Sequence, residues 1–259
     1  GVGLPAAAPS VGADGAIYFP STRLYAYEAD GRPRWVAAAS VLPRGPVSLE
    51  PHRFAYYTSG AIARLGLNGV EQARFPINQA LAGEICLGAD GSMYFVSSAG
   101  NSNQRLPSMS PAGDIMWSAT LTAPAGTPAV GQEVIYVTDR SVLLALDPDG
   151  YLRWKYTGPV AAAAGIPSLA PDGTVYFGCG ATLQAVKAFR PPASSSWPQF
   201  RRDARRSGSL LVTQLRSPSI TEATAESDGG FGFMIHGEAG GSYAVESSSD
   251  LAAWNIVER

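Results

Sequence analysis

The sequence predicts an all-β fold built from repeated four-stranded sheets, and three observations support this prediction. A tyrosine-centred triplet recurs about every 40 residues, a second aromatic series keeps the same period, and the composition favours turns. The 259 residues include 29 Gly and 20 Pro, and only 15% are charged. Such a composition is typical of many short strands joined by tight turns. No long stretch with a helical period competes with this interpretation.

The first repeat marker is an apolar-Tyr-apolar triplet in five copies. The copies read IYF, AYY, MYF, IYV and VYF, and they are centred on Tyr18, Tyr56, Tyr94, Tyr136 and Tyr176. Their spacings are 38, 38, 42 and 40 residues. The second series has a similar period and consists of Trp35, Phe75, Trp117, Trp154 and Trp197. Four strands in about 40 residues, repeated along the chain, indicate the blades of a β-propeller.

Each repeat places its elements in the same order. An apolar strand leads to a tight turn, often Asp-Gly, where Gly supplies a positive φ, and the tyrosine strand follows. A third strand carries a small residue at Ala26, Ser108, Ala145 or Ala185. A second turn leads to a fourth strand, which ends on the aromatic residue. We therefore expect the five aromatic residues to be wedges between blades. The second repeat differs, because Arg64 replaces the small residue and Phe75 replaces Trp.

The repeats divide the chain into three regions. Residues 1–208 form the predicted propeller, with five blades that either close a ring or form part of a larger one. Residues 209–230 read as a linker, and residues 231–259 as a truncated β-sandwich-like module. The chain begins at Gly1 without Met or a signal peptide. We expect it to be a segment of a longer polypeptide that contributes further blades or domains.

Several function classes lack support in the sequence. A net charge of −2 provides no general attraction to nucleic acid or an anionic membrane. No apolar run is long enough for a membrane-spanning helix. The chain has two His, and it lacks a G-x-S-x-G elbow, a P-loop and a two-cysteine metal motif. We therefore assign no catalytic, cofactor-binding or metal-binding residue. Cys86 and Cys179 lie in non-adjacent repeats, so we expect two buried thiols.

Candidate binding residues lie where the repeat is interrupted, because propeller loops commonly carry function. An insertion in the third repeat offers polar side chains for carbohydrate at Asn101, Asn103, Gln104 and Arg105. A basic cluster suited to anions comprises Arg201, Arg202, Arg205 and Arg206. Arg64 is a further candidate contact. Ordinary exposed loops and local ion pairs remain the alternative interpretation of all these residues.

Two stretches resemble a known repeat. AYEADGRPRW (26–35) and ALDPDGYLRW (145–154), together with DGAIYF and DGTVYF, resemble the pyrroloquinoline-quinone-like (PQQ-like) β-propeller repeat across residues 1–208. WPQFRRDARRSG (197–208) is similar to a segment at the edges of such propellers, with Trp197 as the last wedge. GSYAVESSSDLAAW (241–254) resembles the start of a small β-sandwich module of secreted bacterial proteins.

The resemblance implies one of two classes, quinoprotein alcohol dehydrogenases or cofactor-free propellers such as the outer-membrane barrel-assembly lipoprotein. The adjacent cysteines, calcium ligands and catalytic Asp of the dehydrogenases have no counterpart here. The leading hypothesis is therefore a non-catalytic scaffold, secreted, periplasmic or at the cell surface, that binds a protein or glycan on one propeller face. One alternative is a quinoprotein-type oxidoreductase with PQQ and calcium in the central channel. Another is a sensor or adhesive module of a larger surface protein.

Overall fold

The protein divides into two compact units, residues 1–211 and 212–259. The computed structural model describes residues 7–37, 45–51, 53–58, 60–77, 80–81, 83–98, 104–122, 125–159 and 165–210, and four later strands. Within the described residues all regular elements are strands, and no helix is long and apolar enough to span a membrane. The fold is all-β, as predicted.

The first unit contains five consecutive antiparallel sheets, which correspond to the five repeats and are called blades 1–5. Blade 1 comprises β1 (Ser10–Val11), β2 (Ile17–Pro20), β3 (Leu24–Tyr27) and β4 (Pro33–Val36). Blade 2 comprises β5 (Ser48–Glu50), β6 (Phe54–Thr58), β7 (Ala61–Gly66) and β8 (Glu71–Pro76). The innermost strand is the first strand of blades 1, 2, 4 and 5, and it pairs with the second. In blade 3 the corresponding four strands are β10, β11, β13 and β14.

Blade 3 is larger, because two short strands extend it beside the predicted insertion. It comprises β9 (Ala80–Leu81), β10 (Cys86–Leu87), β11 (Met93–Tyr94), β12 (Ser97–Ser98), β13 (Gln104–Met109) and β14 (Ile115–Leu121). Blade 4 comprises β15 (Ala129–Gly131), β16 (Val134–Asp139), β17 (Val142–Leu146) and β18 (Leu152–Thr157). Blade 5 has three strands, β19 (Ser168–Leu169), β20 (Thr174–Cys179) and β21 (Thr182–Lys187). The sequence predicted a fourth strand ending at Trp197, and the structure differs there.

The second unit contains two hairpins. One joins β22 (Ser219–Ala225) to β23 (Phe231–His236), and the other joins β24 (Val245–Ser247) to β25 (Asn255–Glu258). The two hairpins belong to separate two-stranded sheets. The sandwich-like module predicted for residues 231–259 is therefore not supported by the strands that the structure describes.

Strand register reproduces the repeat alignment made from the sequence. The second-strand tyrosines lie opposite third-strand residues in all five blades, in the pairs Tyr18–Ala26, Tyr56–Arg64, Tyr94–Ser108, Tyr136–Ala145 and Tyr176–Ala185. In blades 1, 3 and 4 the small residue then faces a tryptophan on the fourth strand. In blade 2, Arg64 faces Ala73 instead. The large and small side chains have therefore exchanged strands in this blade.

The aromatic residues of blades 1–3 pack on a glycine in the next blade. The indole Nε1 of Trp35 donates to Leu67 O at 2.7 Å, and a Cβ on Gly69 would lie 2.6 Å from the ring. Trp117 makes the equivalent hydrogen bond to Pro148 O and packs on Gly150. Phe75 packs on Gly113 in the same way, although it lies two residues beyond Ala73. These turn glycines have positive φ and leave no space for a side chain.

The antiparallel pairing defines two ends of the propeller. The turns between first and second strands and those between third and fourth strands lie at one end, here called the turn face. The connections between second and third strands, and those between blades, lie at the opposite end, here called the loop face. The core lies between the blades, and both cysteines are buried there as free thiols.

Candidate functional site

The stretch that follows blade 5, residues 191–210, crosses the innermost strands and is called the central segment. In the innermost strands of blades 1, 3, 4 and 5, one residue directs its backbone N–H and C=O away from the blade. Val11 N donates to Gly208 O, Leu87 N to Trp197 O and Val130 N to Pro198 O, at 2.7–2.8 Å. Gln199 bonds both backbone groups of Leu169 through its side-chain amide, at 2.7 and 2.9 Å. The central segment therefore satisfies edge-strand groups of four different blades.

The central segment enters from the turn face and returns to it. Pro192 forms an antiparallel bridge with Gly131, so this arm runs along blade 4 toward the loop face. The chain reverses between Arg201 and Gly208, where Gly208 N donates to Arg201 O. Ser209 then forms a parallel bridge with Val11, which directs the chain back along blade 1.

Trp197 anchors the central segment to a buried carboxylate. Its side chain is fully buried among residues of blades 1–3, and its Nε1 donates to Glu84 Oε2 at 3.0 Å. Arg201 N donates to the same oxygen at 2.7 Å. Glu84 is only 1% exposed, and its Oε1 has no hydrogen-bond partner. Burial raises the pKa of this carboxyl, although the two donors oppose the shift. Trp197 was predicted to be a wedge between two neighbouring blades, whereas in the structure it packs among residues of three blades.

This packing bears on the cofactor alternative. A quinone in the central channel requires open space and calcium ligands at the propeller axis. The axis carries Trp197 and Gln199 instead, which are 0% and 3% exposed. Among the residues that the structure describes, no group of three potential metal ligands occurs. The residues present therefore do not fit PQQ and calcium in the channel.

Two of the four candidate residues of the insertion lie within the residues that the structure describes. Asn101 and Asn103 lie outside the described residues. Gln104 is buried on β13, where its Oε1 accepts from Ala125 N. Arg105 is exposed and lines a recess of about 290 Å³ with Ile77 and Phe95. Within the described part of this loop, Arg105 is the residue that stays available to a ligand.

Arg64 lies between blades 2 and 3. Its Nη1 donates to Pro111 O at 3.0 Å, and its guanidinium lies 4.6 Å from the Phe54 ring centroid and 5.6 Å from that of Phe75. These contacts tie neighbouring blades together, since Pro111 lies in the β13–β14 turn. The arginine therefore performs the bridging that Trp35 and Trp117 perform elsewhere.

The arginine cluster forms a compact loop at the loop face. Asp203 accepts hydrogen bonds from Ser207 N at 3.0 Å and Ser207 Oγ at 2.6 Å, and it pairs with Arg202 at 3.4 Å. The Arg201 guanidinium covers Gly208. The Arg206 guanidinium lies 5.3 Å from the Phe200 ring centroid. Arg205 and Arg206 are exposed, so the loop presents positive charge beside the reversal of the central segment.

A recess at the turn face lies between blades 3 and 4 and has a volume of about 480 Å³. Its apolar wall includes Tyr94, Val130 and Ile135, and Ala193 and Ser194 of the central segment form one side. Asp90, Glu133 and Arg190 lie at its rim, where Arg190 pairs with Glu133 at 3.4 Å. Burial, Asp90 and Asp149 raise the pKa of the Tyr94 hydroxyl.

The same recess recurs between blades 1 and 2, but there it is filled. The walls of both recesses come from equivalent repeat positions. In the recess between blades 1 and 2 they are Gly12, Asp14, Tyr18, Leu49 and Leu67. In the recess between blades 3 and 4 the corresponding residues, in the same order, are Gly88, Asp90, Tyr94, Val130 and Pro148. Leu210 of the central segment is 7% exposed and leaves a volume of only about 10 Å³ in the recess between blades 1 and 2. The GADG turns at 12–15 and 88–91 are identical in sequence, and that repetition could have indicated both recesses. No sequence signal pointed to Glu84 or Leu210.

Solved structures of low sequence identity share this fold. A streptogramin B lyase matches with a TM-score of 0.54 and 16% identity, over 87% of this chain and 82% of that chain. Virginiamycin B lyase from Staphylococcus aureus matches with a TM-score of 0.53 and 14% identity, over 90% of this chain and 86% of that chain. A structure titled Dos1 propeller matches with a TM-score of 0.55 and 10% identity, over 73% and 59%. At these identities the likeness establishes the fold alone.

The sequence comparisons identify the family. No curated protein matches this chain significantly. The family model described as outer membrane protein assembly factor BamB matches residues 58–191, which include most of blades 2–5. Because this match spans more than half of the 259 residues, the protein belongs to the BamB family of PQQ-like β-propellers.

Proposed function

We propose that this protein is a non-catalytic scaffold that binds a protein, or alternatively a glycan, on one propeller face. The observation that carries the proposal is the central segment, which occupies the propeller axis with Trp197 and Gln199. An axis filled by the chain's own residues leaves the two faces as the surfaces available to a partner. Loops and turns on a rigid scaffold are common binding surfaces.

Family membership supports a protein partner and a bacterial envelope location. The family description refers to assembly of outer membrane proteins, a task that brings polypeptides together. The 480 Å³ recess supports the turn face as the binding surface, because it combines an apolar wall with charged rim residues. The basic loop supports the loop face, because Arg205 and Arg206 are exposed there. The recess is the more enclosed of the two features, so we favour the turn face.

Site-specific photo-crosslinking tests the proposal. A photoreactive amino acid is placed at Glu133 on the turn face or at Thr22 on the loop face, and both positions are exposed. The chain is then incubated with bacterial envelope extract and irradiated. We expect one protein to be crosslinked from Glu133 and not from Thr22. Equal labelling from both positions, or labelling from neither, would contradict the proposal of a protein partner on the turn face.

Two further measurements distinguish the alternatives. A glycan array that captures the chain, with no protein crosslinked, would replace the protein partner by a glycan. PQQ with calcium should leave the melting temperature unchanged, since a ligand of the folded state raises it by mass action. A rise at saturating ligand, accompanied by quinone-dependent dye reduction, would favour the oxidoreductase instead.

A further inference from the structure

The recess between blades 1 and 2 is the repeat equivalent of the open recess between blades 3 and 4, and it is occupied by Leu210. There Leu210 N donates to Val11 O at 2.7 Å, and the Leu210 side chain is buried in the core cluster that includes Tyr18 and Leu49. The occupant is thus a branched aliphatic side chain, presented by a strand that runs from the loop face to the turn face. The chain itself shows what this type of recess accepts.

The two recesses share the same frame. A Cβ placed on Gly12 would lie 2.7 Å from Asp14 Oδ1 and 3.2 Å from Tyr18 Cε2. A Cβ placed on Gly88 would lie at the same two distances from Asp90 Oδ1 and from the corresponding carbon of Tyr94. The turn, the acid and the tyrosine therefore have one geometry in both places. What differs is the central segment, which offers Ala193 and Ser194 to the second recess instead of a leucine.

The charge at the rim also differs between the recesses. In the filled recess Asp14 pairs with Arg34 at 2.6 Å, and Glu50 pairs with Arg53 at 2.9 Å. At the open recess Glu133 pairs with Arg190. Among the described residues, no ion pair includes Asp90 or Asp149. Asp90 lines this recess, and Asp149 directly follows Pro148, which also lines it. The open recess is apolar inside and negative at its mouth.

We propose, building on the scaffold function above, that the recess between blades 3 and 4 binds an extended segment of a partner protein through a leucine-like side chain and an adjacent basic residue. The aliphatic side chain would occupy the volume that Leu210 occupies between blades 1 and 2. The basic residue would lie at the turn face beside Asp90 and Asp149. Leu87 is the repeat equivalent of Val11, and its backbone N–H and C=O are already bonded to Trp197 O and Ser195 Oγ, so side-chain burial and charge supply the recognition.

The test uses a short peptide that reproduces the internal occupant. The probe is acetyl-Ser-Gly-Ser-Leu-Arg-amide, which copies residues 207–210 and adds the basic residue. It is titrated into the ¹⁵N-labelled full chain to millimolar concentration and followed by NMR. We expect saturable shifts at Tyr94, Ile135 and Ala193. Replacing the peptide leucine by serine should weaken binding about tenfold, and replacing its arginine by glutamine should weaken it less.

Two chain variants make the test specific. Ser194→Leu places an aliphatic side chain in the recess, and because Ser194 is exposed the fold should persist. We expect this variant to lose peptide binding about tenfold or more. Thr22→Leu adds the same side chain on the loop face and should bind the peptide as the unmodified chain does. Asp90→Asn should weaken binding of the arginine peptide but not of the glutamine peptide.

Several outcomes would overturn the inference. These are no shifts at millimolar peptide, shifts centred away from the recess, or binding that Ser194→Leu leaves unchanged. Concentration-dependent self-association that Ser194→Leu abolishes would assign the recess to a second copy of this chain instead. If the peptide fails while the Glu133 photo-crosslinker still captures one protein, the scaffold function stands and this inference alone is wrong.

Discussion

The recess between blades 1 and 2 and the recess between blades 3 and 4 are both lined by a GADG turn, but the first is filled and the second is open. In the first, Leu210 fills the space and Arg34 pairs with the turn aspartate, Asp14. In the second, about 480 Å³ remains open and Met116 occupies the position of Arg34. The repeat fixes the shape of the walls, whereas a non-repeated segment decides whether the space is used for stability or left for a ligand.

The difference between the two recesses depends on the central segment, which Trp197 anchors. Replacing Trp197 should therefore have the largest effect on the free energy of unfolding. Trp197→Ala removes a fully buried indole and leaves Glu84 without its side-chain donor. We expect the free energy of unfolding to fall by about 3–5 kcal/mol, measured by urea denaturation. Trp154→Ala is the matched control, because Trp154 is only partly buried and should cost less. Equal losses for the two variants would contradict a central role for Trp197.

Opening the filled recess should have the next largest effect. Leu210→Ala removes a side chain that is 7% exposed and leaves a cavity at its position. We expect a loss of about 2–5 kcal/mol in unfolding free energy, with the value set by how far the walls relax. Ser194→Leu in the open recess should change the same quantity by only about 0.5 kcal/mol or less, because Ser194 is exposed. A Leu210→Ala variant as stable as the unmodified chain would mean that Leu210 does not fill the recess.

Glu84 should make stability depend on pH in a defined direction. Folding raises the pKa of Glu84 above its unfolded value near 4.5. The contribution of Glu84 to folding stability is therefore complete below pH 4.5, and it is lost as the pH rises through the folded pKa. Glu84→Gln keeps an acceptor for Trp197 and Arg201 N, and it should remove this loss of stability. Glu84→Ala leaves both donors unsatisfied, at about 1–3 kcal/mol each. Urea denaturation between pH 4.5 and 8 measures all three proteins, and parallel pH profiles for the unmodified chain and Glu84→Gln would contradict the assignment.

The smallest effect is expected at the rim of the filled recess. Arg34→Met reproduces the residue of blade 3 and removes the ion pair with Asp14. The pair is partly exposed, so the unfolding free energy should fall by only about 0–1 kcal/mol, and less at high salt. Burial opposes ionisation of Asp14, but Arg34 holds its pKa below 3.8, and that pKa should rise in the variant. NMR titration of the Asp14 carboxyl measures the change, and an unchanged pKa would contradict the pairing.

The sequence predicted the blades well because their markers are local. The tyrosine and the residue opposite it lie within one repeat, so period and turn chemistry suffice to align them. The fate of Trp197 could not be predicted in the same way. Its spacing fits the wedge series, and burial between blades has the same apolar signature as burial at the axis. Pro191, Pro192 and Pro198 were the available warning, because proline cannot donate in a strand ladder.

The candidate site was less predictable than the fold. Arg64 was selected because it breaks the repeat, yet it bridges Phe54, Phe75 and Pro111 within the structure. Glu84 and Leu210 act through contacts more than a hundred residues apart in sequence, and no local pattern contains that information. The two GADG turns are identical in sequence, and only the residues of the central segment beside them differ. The open recess therefore becomes visible only in the three-dimensional structure.

Native-state amide hydrogen exchange tests the central segment most directly. The amides of Val11, Leu87 and Val130 face the propeller axis, where their acceptors are Gly208, Trp197 and Pro198. If the segment occupies the axis, these three amides should be protected as strongly as amides paired between strands of the same blades. If they exchange as fast as unpaired edge-strand amides, the segment does not fill the axis, and the argument for binding on a propeller face loses its basis.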